Sequence, residues 1–206
     1  ILYLMYIGLT GLNFIFLIIG KMPVFDAVCT AFGTAGTGGF GIKGDSMAGY
    51  SPYIQNVCTI FMLLFGVNFS CYYLVLLRRF KSIIKDSELR TYVVLILSSV
   101  ALITINISGM FSSVREALHH AAFTVSSIIT TTGFAMWPNF SKTIILMLMF
   151  VGACGGSTGG GLKCGRLLII LKSVKRNIRK TLNPRKVEVI RMGGNVVKEE
   201  VVSAVN

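Results

Sequence analysis

The sequence predicts an all-α integral membrane protein built from two tandem helix–loop–helix repeats. Three observations predict this class: long uncharged apolar stretches, two loops rich in glycine and threonine, and basic residues confined to the ends of the apolar stretches. Only 14% of the 206 residues are charged, against about 25% in an ordinary soluble domain. The mean hydropathy of +0.73 also indicates a membrane protein.

The formal net charge of +12 would by itself suit a nucleic-acid-binding protein. The lysines and arginines, however, cluster beside the hydrophobic stretches, which is typical of cytoplasmic flanks near anionic lipid. We therefore expect membrane lipid, and no nucleic acid, as a partner. Because Ile1 already lies inside a hydrophobic stretch, we also expect the chain to be an excerpt of a longer protein.

The first predicted repeat covers residues 1–80. Ile1–Gly20 carries no charge, and a helix of this length spans about 30 Å, the thickness of a bilayer core. The next apolar segment, Phe25–Ala35, is too short to cross and runs into the loop Gly36–Gly41, which predicts a re-entrant segment. After a polar loop, an uncharged span over Tyr53–Leu77 returns the chain to its starting side.

A cytoplasmic linker, 81–90, leads to a second predicted repeat over residues 91–172. This repeat begins with an uncharged span, Thr91–Phe111. A shorter segment, Glu116–Ile129, follows a candidate helix N-cap at Ser112-Ser113 and ends in the loop Thr130–Phe134.

The last predicted span, Thr143–Leu162, contains the glycine run Gly155–Gly161. Five glycines in seven residues disfavour a helix by up to about 1 kcal/mol each relative to alanine. We therefore predict that this helix is broken.

The two repeats align at an offset of 94 residues. Identical residues meet at four positions of the short segments and loops: Ala27 with Ala121, Thr30 with Thr124, Thr37 with Thr131, and Gly39 with Gly133. Phe40 likewise meets Phe134. The order span, short helix, loop, span is kept throughout, which indicates two copies of one unit.

Basic residues predict the orientation of both repeats. Five lie between positions 78 and 90 and seven between 172 and 186, whereas the opposite side has only Lys21, Lys43, Arg115 and Lys142. The linker and the tail should be cytoplasmic, with both loops open to the outside. Within the basic tail, 173–206, the stretches 187–192 and 195–198 flank Gly193-Gly194, which predicts a short cytoplasmic β-hairpin.

The two loops carry the candidate chemistry. Irregular backbone at membrane depth is costly unless it is buried in protein or lines water. Main-chain carbonyls and threonine hydroxyls can replace the hydration shell of a cation, and neither loop has a carboxylate, which favours a weakly hydrated monovalent ion. Close helix packing on small residues is the alternative, but it does not explain the recurrence at one offset.

Four stretches resemble a known family: Phe25–Thr30 followed by Gly36–Phe40, Ser126–Phe134, Gly152–Lys163, and Asn183–Val187 followed by Gly193–Val197. They are similar to the Trk/Ktr/HKT potassium transporter superfamily, and the Gly152–Lys163 stretch to its bacterial TrkH branch. The resemblance covers essentially the whole chain and would match the second and third of four helix–pore-loop–helix repeats, a potassium-channel-like arrangement.

The resemblance implies an ion filter with potassium as the transported ion. Its filter residues would be Gly36, Thr37, Gly38, Gly39, Thr130, Thr131, Thr132 and Gly133, with potassium held at Thr37, Gly38, Thr131 and Thr132. Phe40 and Phe134 would pack behind the loops as wedges.

The resemblance also implies a gate below the filter, formed by Gly155, Gly156, Ser157, Thr158, Gly159, Gly160 and Gly161. A passive kink is the alternative. A phosphate-binding loop is disfavoured, since Leu162 interrupts that motif and no serine or threonine follows Lys163. Lys163 itself is expected to extend to the membrane interface.

The expected function is therefore potassium uptake across a plasma membrane, with the chain as a multi-pass protein of a bacterial inner membrane and not an enzyme. Mixed potassium and sodium transport, or a non-conducting membrane scaffold, are the alternatives. By resemblance we expect a homodimer and a TrkA-like cytoplasmic nucleotide-binding regulatory subunit, which could dock on Lys172–Lys186. Near the outer ends of the short helices, Asp26 and Glu116 should favour the helix N-termini or attract cations.

Overall fold

The structure, a computed structural model, describes residues 2–111, 113–134, 142–182, 189–193, 195–197 and 199–205. Within these ranges the regular structure is helical except for two strands of two residues each. In chain order the helices are α1 (Leu2–Ile19), α2 (Val24–Ala35), α3 (Pro52–Phe65), α4 (Phe69–Leu76), α5 (Phe80–Ile84), α6 (Ser87–Ile107), α7 (Val114–Ile129), α8 (Lys142–Val151), α9 (Cys164–Leu182) and α10 (Glu199–Val205).

The helices form two sets with the same order, a long helix, a short helix and a broken pair. The first set is α1, α2 and α3–α4, and the second is α6, α7 and α8–α9. Each set has its own cluster of buried apolar side chains. Phe123 and Phe134 of the second set belong to the cluster of the first, so the two sets share part of their core.

Two of the described helices, α1 and α6, are long and apolar enough to cross a membrane, and α3–α4 would be a third span if the bent pair is counted as one. They correspond to the predicted spans Ile1–Gly20 and Thr91–Phe111. Helix α6 begins earlier, at Ser87, because the Asp86 side chain caps it by accepting hydrogen bonds from the Glu88 and Leu89 amides.

The predicted span over Tyr53–Leu77 is not one continuous helix. Helix α3 ends at Phe65 and α4 starts at Phe69, with an angle of 89° between them. Asn68 caps the second piece by accepting from the Ser70 amide at 2.8 Å. Residues of the second set complete the backbone hydrogen bonds at the break, which is why a break inside an apolar stretch is tolerated.

The last predicted span, Thr143–Leu162, is broken over a longer stretch than the glycine run. Helix α8 ends at Val151, and helical structure resumes only at Cys164. Gly152, Gly156 and Gly161 have φ angles of 69°, 70° and 81°, which side chains disfavour. The non-helical stretch therefore runs from 152 to 163, and we call it the glycine segment.

The two short helices begin differently but end at equivalent positions. Helix α7 has Ser113 as its N-cap, whose side chain accepts from the Glu116 amide at 3.2 Å; Ser112 lies outside the described residues. Helix α2 follows Pro23 and has no side-chain cap. Ala35 and Ile129, the last helical residues, are separated by the 94-residue offset of the sequence repeat.

The C-terminal part folds back on α9. Strand β1 (Arg191–Met192) pairs antiparallel with β2 (Asn195–Val196), and Ile190 and Val202 form a small buried cluster with Ile169 of α9. The strands are shorter than the sequence suggests, and α10 was not predicted. The predicted residues 183–188, 194 and 198 lie outside the described ranges.

We predict that Gly66→Ala destabilises the protein because a Cβ there would overlap the Tyr92 hydroxyl and lie 2.9 Å from Thr130 Cγ2. Overpacking of this kind costs about 1–3 kcal/mol. Thermal unfolding in detergent should show a lower Tm for Gly66→Ala and partial recovery in Gly66→Ala/Tyr92→Phe, which removes the overlapping oxygen.

Tyr92→Phe alone is the control, since it loses only the hydrogen bond from the Tyr92 hydroxyl to Leu63 O at 3.2 Å. A Gly66→Ala variant as stable as the wild type, or a double variant no better than Gly66→Ala, would contradict this packing.

Candidate functional site

The backbone amides of the first loop, residues 36–39, all donate to carbonyl oxygens at the end of α2. The four bonds are Gly36 N to Phe32 O (2.8 Å), Thr37 N to Thr34 O (3.3 Å), and Gly38 N and Gly39 N to Gly33 O (2.8 and 3.5 Å). The loop is therefore folded back against the C-terminus of its own short helix.

The second loop, residues 130–133, repeats this pattern at the 94-residue offset. Its four bonds are Thr130 N to Ser126 O (3.2 Å), Thr131 N to Ile128 O (3.0 Å), and Thr132 N and Gly133 N to Ser127 O (2.9 and 3.1 Å). Each donor and each acceptor is equivalent to its counterpart in the first loop, so the sequence repeat is also a repeat of backbone geometry.

Both loops hold left-handed backbone at the same two positions. Thr37 and Thr131 have φ angles of 51° and 58°, and Gly39 and Gly133 have φ angles of 62° and 84°. Left-handed backbone costs a residue with a side chain roughly 1–2 kcal/mol, and it persists where the surrounding structure imposes it. Since a trans peptide points its N–H and C=O in opposite directions, amides that face the helix turn the preceding carbonyls away from it.

The two loops contact each other. A Cβ on Gly39 would overlap the carbonyl oxygen of Thr132 and lie 2.9 Å from the carbonyl carbon of Gly133. Glycine is required at position 39 for this close approach as well as for its positive φ. At Gly133, by contrast, a Cβ would meet no atom of the described residues within 4 Å.

The threonine side chains divide into two kinds. Thr130 and Thr132 are buried, and their hydroxyls bond each other at 2.8 Å. The hydroxyls of Thr37 and Thr131 reach the glycine segment: Thr37 Oγ1 lies 3.3 Å from Thr158 O, and Thr131 Oγ1 accepts from the Gly160 amide at 2.6 Å. Equivalent residues of the two loops thus contact the same segment.

The glycine segment is a pinched loop. Its stem is closed by hydrogen bonds from Leu162 N to Phe150 O at 3.2 Å and from Cys164 N to Ala153 O at 3.0 Å. Gly152 and Gly161 touch at the neck, where a Cβ on Gly161 would lie 2.8 Å from Gly152 Cα. The tip of the segment therefore projects towards the two loops.

The glycine segment and the break between α3 and α4 complete each other's backbone hydrogen bonds. Phe69 N donates to Gly156 O at 3.2 Å, and Cys154 N donates to Gly66 O at 3.1 Å. A third bond runs from Thr158 Oγ1 to Phe65 O at 3.4 Å. The break that the sequence did not predict is thus part of the same site.

The family model described as the TrkH cation transport protein matches residues 1–205 of the chain. The chain belongs to the TrkH family. It is 34% identical over 214 residues to the Trk system potassium uptake protein TrkH of Salmonella typhimurium, a match that covers 99% of this chain and 44% of the relative. The Trk system potassium uptake protein TrkG of Escherichia coli K12 is 32% identical, covering 89% of this chain and 40% of the relative.

A solved structure of the family has the same fold. The crystal structure of the potassium transporter TrkH from Vibrio parahaemolyticus matches with a TM-score of 0.91 and 29% identity, covering 99% of this chain and 46% of that one. The chain spans less than half the length of these relatives. The TrkH family consists of transport proteins rather than enzymes.

Two charged residues near the glycine segment of this TrkH-family chain contact its backbone. Lys163, expected to extend to the membrane interface, folds back instead, and its ammonium donates to Gly159 O. Sequence reasoning missed Glu88, whose Oε1 accepts from the amides of Gly155 and Gly165 at 2.6 and 2.9 Å. The available signal was a carboxylate at the start of an apolar span, two residues after Asp86.

The titratable residues at the other ends of the short helices lie away from the two loops. Asp26 is in the first turn of α2 and accepts from the Tyr50 hydroxyl at 2.7 Å. Glu116 is in the first turn of α7, so both carboxylates lie where they favour a helix N-terminus. Across the described ranges, no group of three or more His, Cys, Asp or Glu residues could hold a metal ion.

The two phenylalanines expected to pack behind the loops differ in burial within this chain. Phe134 is buried, and a Cβ on Gly33 of α2 would lie 3.5 Å from its ring. Phe40 is 83% exposed within this chain.

We predict that Thr131→Val loosens the glycine segment. The isosteric valine removes the acceptor of the Gly160 amide, and losing one hydrogen bond of about 1 kcal/mol should raise amide exchange roughly fivefold. Hydrogen–deuterium exchange of residues 155–161 measures the effect. Thr59→Val is the matched control, since its hydroxyl bonds only Gln55 O of its own helix, and equal exchange in both variants would contradict the prediction.

Proposed function

We propose that this chain forms the second and third repeats of a four-repeat potassium uptake protein. The two loops, 36–39 and 130–133, contribute two sides of its ion filter, and the tip of the glycine segment, 155–161, is the gate beneath it. One observation carries the proposal. Two loops in contact have all their amides bonded to their own helices, which leaves carbonyl oxygens of both loops turned away from those helices.

Such oxygens suit a potassium ion. Carbonyl dipoles can replace the hydration shell of an ion that sheds its water readily, and neither loop carries a carboxylate that would favour a divalent ion. Potassium would be held at Thr37, Gly38, Thr131 and Thr132. Because the hydroxyl of Thr132 is bonded to Thr130, Thr132 would contribute its main-chain oxygen.

Further repeats would have to complete the pore. The first loop meets the second at Gly39, whereas a Cβ on Gly133 would have no neighbour within 4 Å among the described residues. Phe134 packs on α2, whereas Phe40 is exposed. Both differences are expected if two more repeats complete a ring around the same pore, one beside Gly133 and one beside Phe40. The relatives' greater length supports this arrangement.

The glycine segment lies where a gate would act. A Cβ on Gly159 would be 2.9 Å from the carbonyl oxygen of Thr130, so the segment lies against the loop oxygens. An ion leaving the filter on this side would meet the segment, which must then move. A passive kink would not need the contacts that Thr37 and Thr131 make to it.

The protein would act in a bacterial inner membrane as a multi-pass homodimer in contact with lipid. A cytoplasmic nucleotide-binding subunit would regulate it, with the basic C-terminal half of α9 as the docking surface. Lys175 and Lys180 lie in this half, and Arg179 and Lys180 are in the last turn of the helix.

We predict that Gly39→Ala and Gly133→Ala each abolish potassium uptake by the full-length protein. Both substitutions strain left-handed backbone, and Gly39→Ala also displaces the carbonyl of Thr132. Growth of an uptake-deficient bacterial strain on low potassium, together with rubidium uptake, measures the effect. Uptake should fall at least about tenfold, which corresponds to a filter distortion of about 1.4 kcal/mol.

Gly44→Ala is the matched control, since a Cβ there meets nothing within 4 Å and the φ angle is not positive. Normal growth of both filter variants at normal expression would favour a non-conducting scaffold. Equal rubidium and sodium uptake by the wild type would instead indicate mixed transport.

A further inference from the structure

Glu88 joins the glycine segment to the helix that follows it. The residue lies in the first turn of α6, and its Oε1 accepts from Gly155 N at 2.6 Å and from Gly165 N at 2.9 Å. Gly155 is the first residue of the proposed gate, and Gly165 is in the first turn of α9. A single carboxylate oxygen therefore links the first residue of the gate to the start of the helix that follows the gate.

The two glycines are explained by this carboxylate. Neither Gly155 nor Gly165 has a positive φ, so neither needs glycine for its backbone conformation. A Cβ on Gly165 would lie 2.8 Å from Glu88 Oε1, and a Cβ on Gly155 would lie 3.3 Å from it. The missing side chains are what let the carboxylate approach both amides.

The contact has a favourable charge as well as a favourable shape. The first amides of a helix have no partner within the helix and carry a partial positive charge, and a carboxylate is the side chain that best satisfies them. Glu88 does this for α9 from another helix. Its own backbone is fixed, because its amide donates to Asp86 Oδ1 at 2.8 Å.

We propose that Glu88 is a positioning residue for the gate. Its carboxylate holds the gate in the position seen here, and its hydrogen bond with the Gly155 amide breaks when the gate opens. This inference rests on the proposed function of the glycine segment. Five of the seven gate residues are glycines without side chains, and Thr158 makes one long bond to Phe65 O at 3.4 Å. The gate therefore relies mainly on partners of its backbone, and Glu88 is the charged acceptor among them. Breaking the contact should favour the open gate.

The test is the initial rate of rubidium flux into liposomes containing the full-length protein without any cytoplasmic partner. Glu88→Ala should raise the rate about tenfold, the factor expected for loss of a charge-assisted hydrogen bond. Glu88→Gln, which keeps an acceptor oxygen but loses the charge, should lie between Glu88→Ala and the wild type. The ratio of rubidium to sodium flux should not change, since the filter is untouched.

Gly165→Ala tests the same contact from the other side. It keeps the carboxylate but pushes it away, so it should raise the flux as well, and Glu88→Ala/Gly165→Ala should give no more than Glu88→Ala alone. Glu116→Gln is the matched control, because this exposed carboxylate lies in the first turn of α7, remote from the gate. It should leave the flux unchanged.

The outcomes separate the two proposals. Flux at or below the wild-type rate in Glu88→Gln and Gly165→Ala, with normal amounts of folded protein, would overturn the role of Glu88. If Glu88 only stabilised the fold, these variants would lower both the flux and the Tm. That result would also overturn the inference. Wild-type flux no greater than that of Gly39→Ala would mean that the proposed filter has failed, and the inference with it.

Discussion

The orientation of the loop amides determines the rest of the site. In each loop, four consecutive N–H groups donate to carbonyl oxygens at the end of the preceding short helix. The carbonyl oxygens of the same peptides therefore point away from that helix. Thr37 and Thr131 have left-handed backbone in this arrangement. This conformation is energetically unfavourable for a residue with a side chain and persists only where the surrounding structure imposes it. Were these amides to face the opposite way, no arrangement of side chains could present a row of main-chain oxygens to an ion.

A second constraint explains why four irregular stretches occur together. Backbone groups at membrane depth need partners because no water replaces them. The break between α3 and α4, the loops and the glycine segment supply one another's partners, through Cys154 N to Gly66 O, Phe69 N to Gly156 O and Gly160 N to Thr131 Oγ1. Each irregular stretch alone would be costly, whereas together they are satisfied. Movement of the glycine segment would therefore disturb both repeats.

Local sequence patterns predicted much of this arrangement. The 94-residue offset locates the equivalent hydrogen bonds of the two loops, and the short apolar segments correspond to α2 and α7 because their length and their glycine endings are local properties. The break at residues 66–68 was missed, since one glycine and one asparagine in an uncharged stretch are a weak signal and the residues that complete the break are more than 80 positions away. Glu88 was missed for a similar reason: its partners are distant backbone amides, and its own segment shows only a carboxylate at the start of an apolar span. The unequal burial of Phe40 and Phe134 depends on which neighbours the chain contains, and a repeat pattern by itself predicts equal roles.

The central claim is that main-chain oxygens of both loops bind one row of ions. The most direct measurement is anomalous scattering from crystals of the full-length protein grown with thallium or rubidium in place of potassium. The account predicts anomalous peaks between residues 36–39 and 130–133, with carbonyl oxygens of both loops as ligands. Fully occupied ion sites elsewhere in the protein, with no anomalous peak between these two loops, would contradict it.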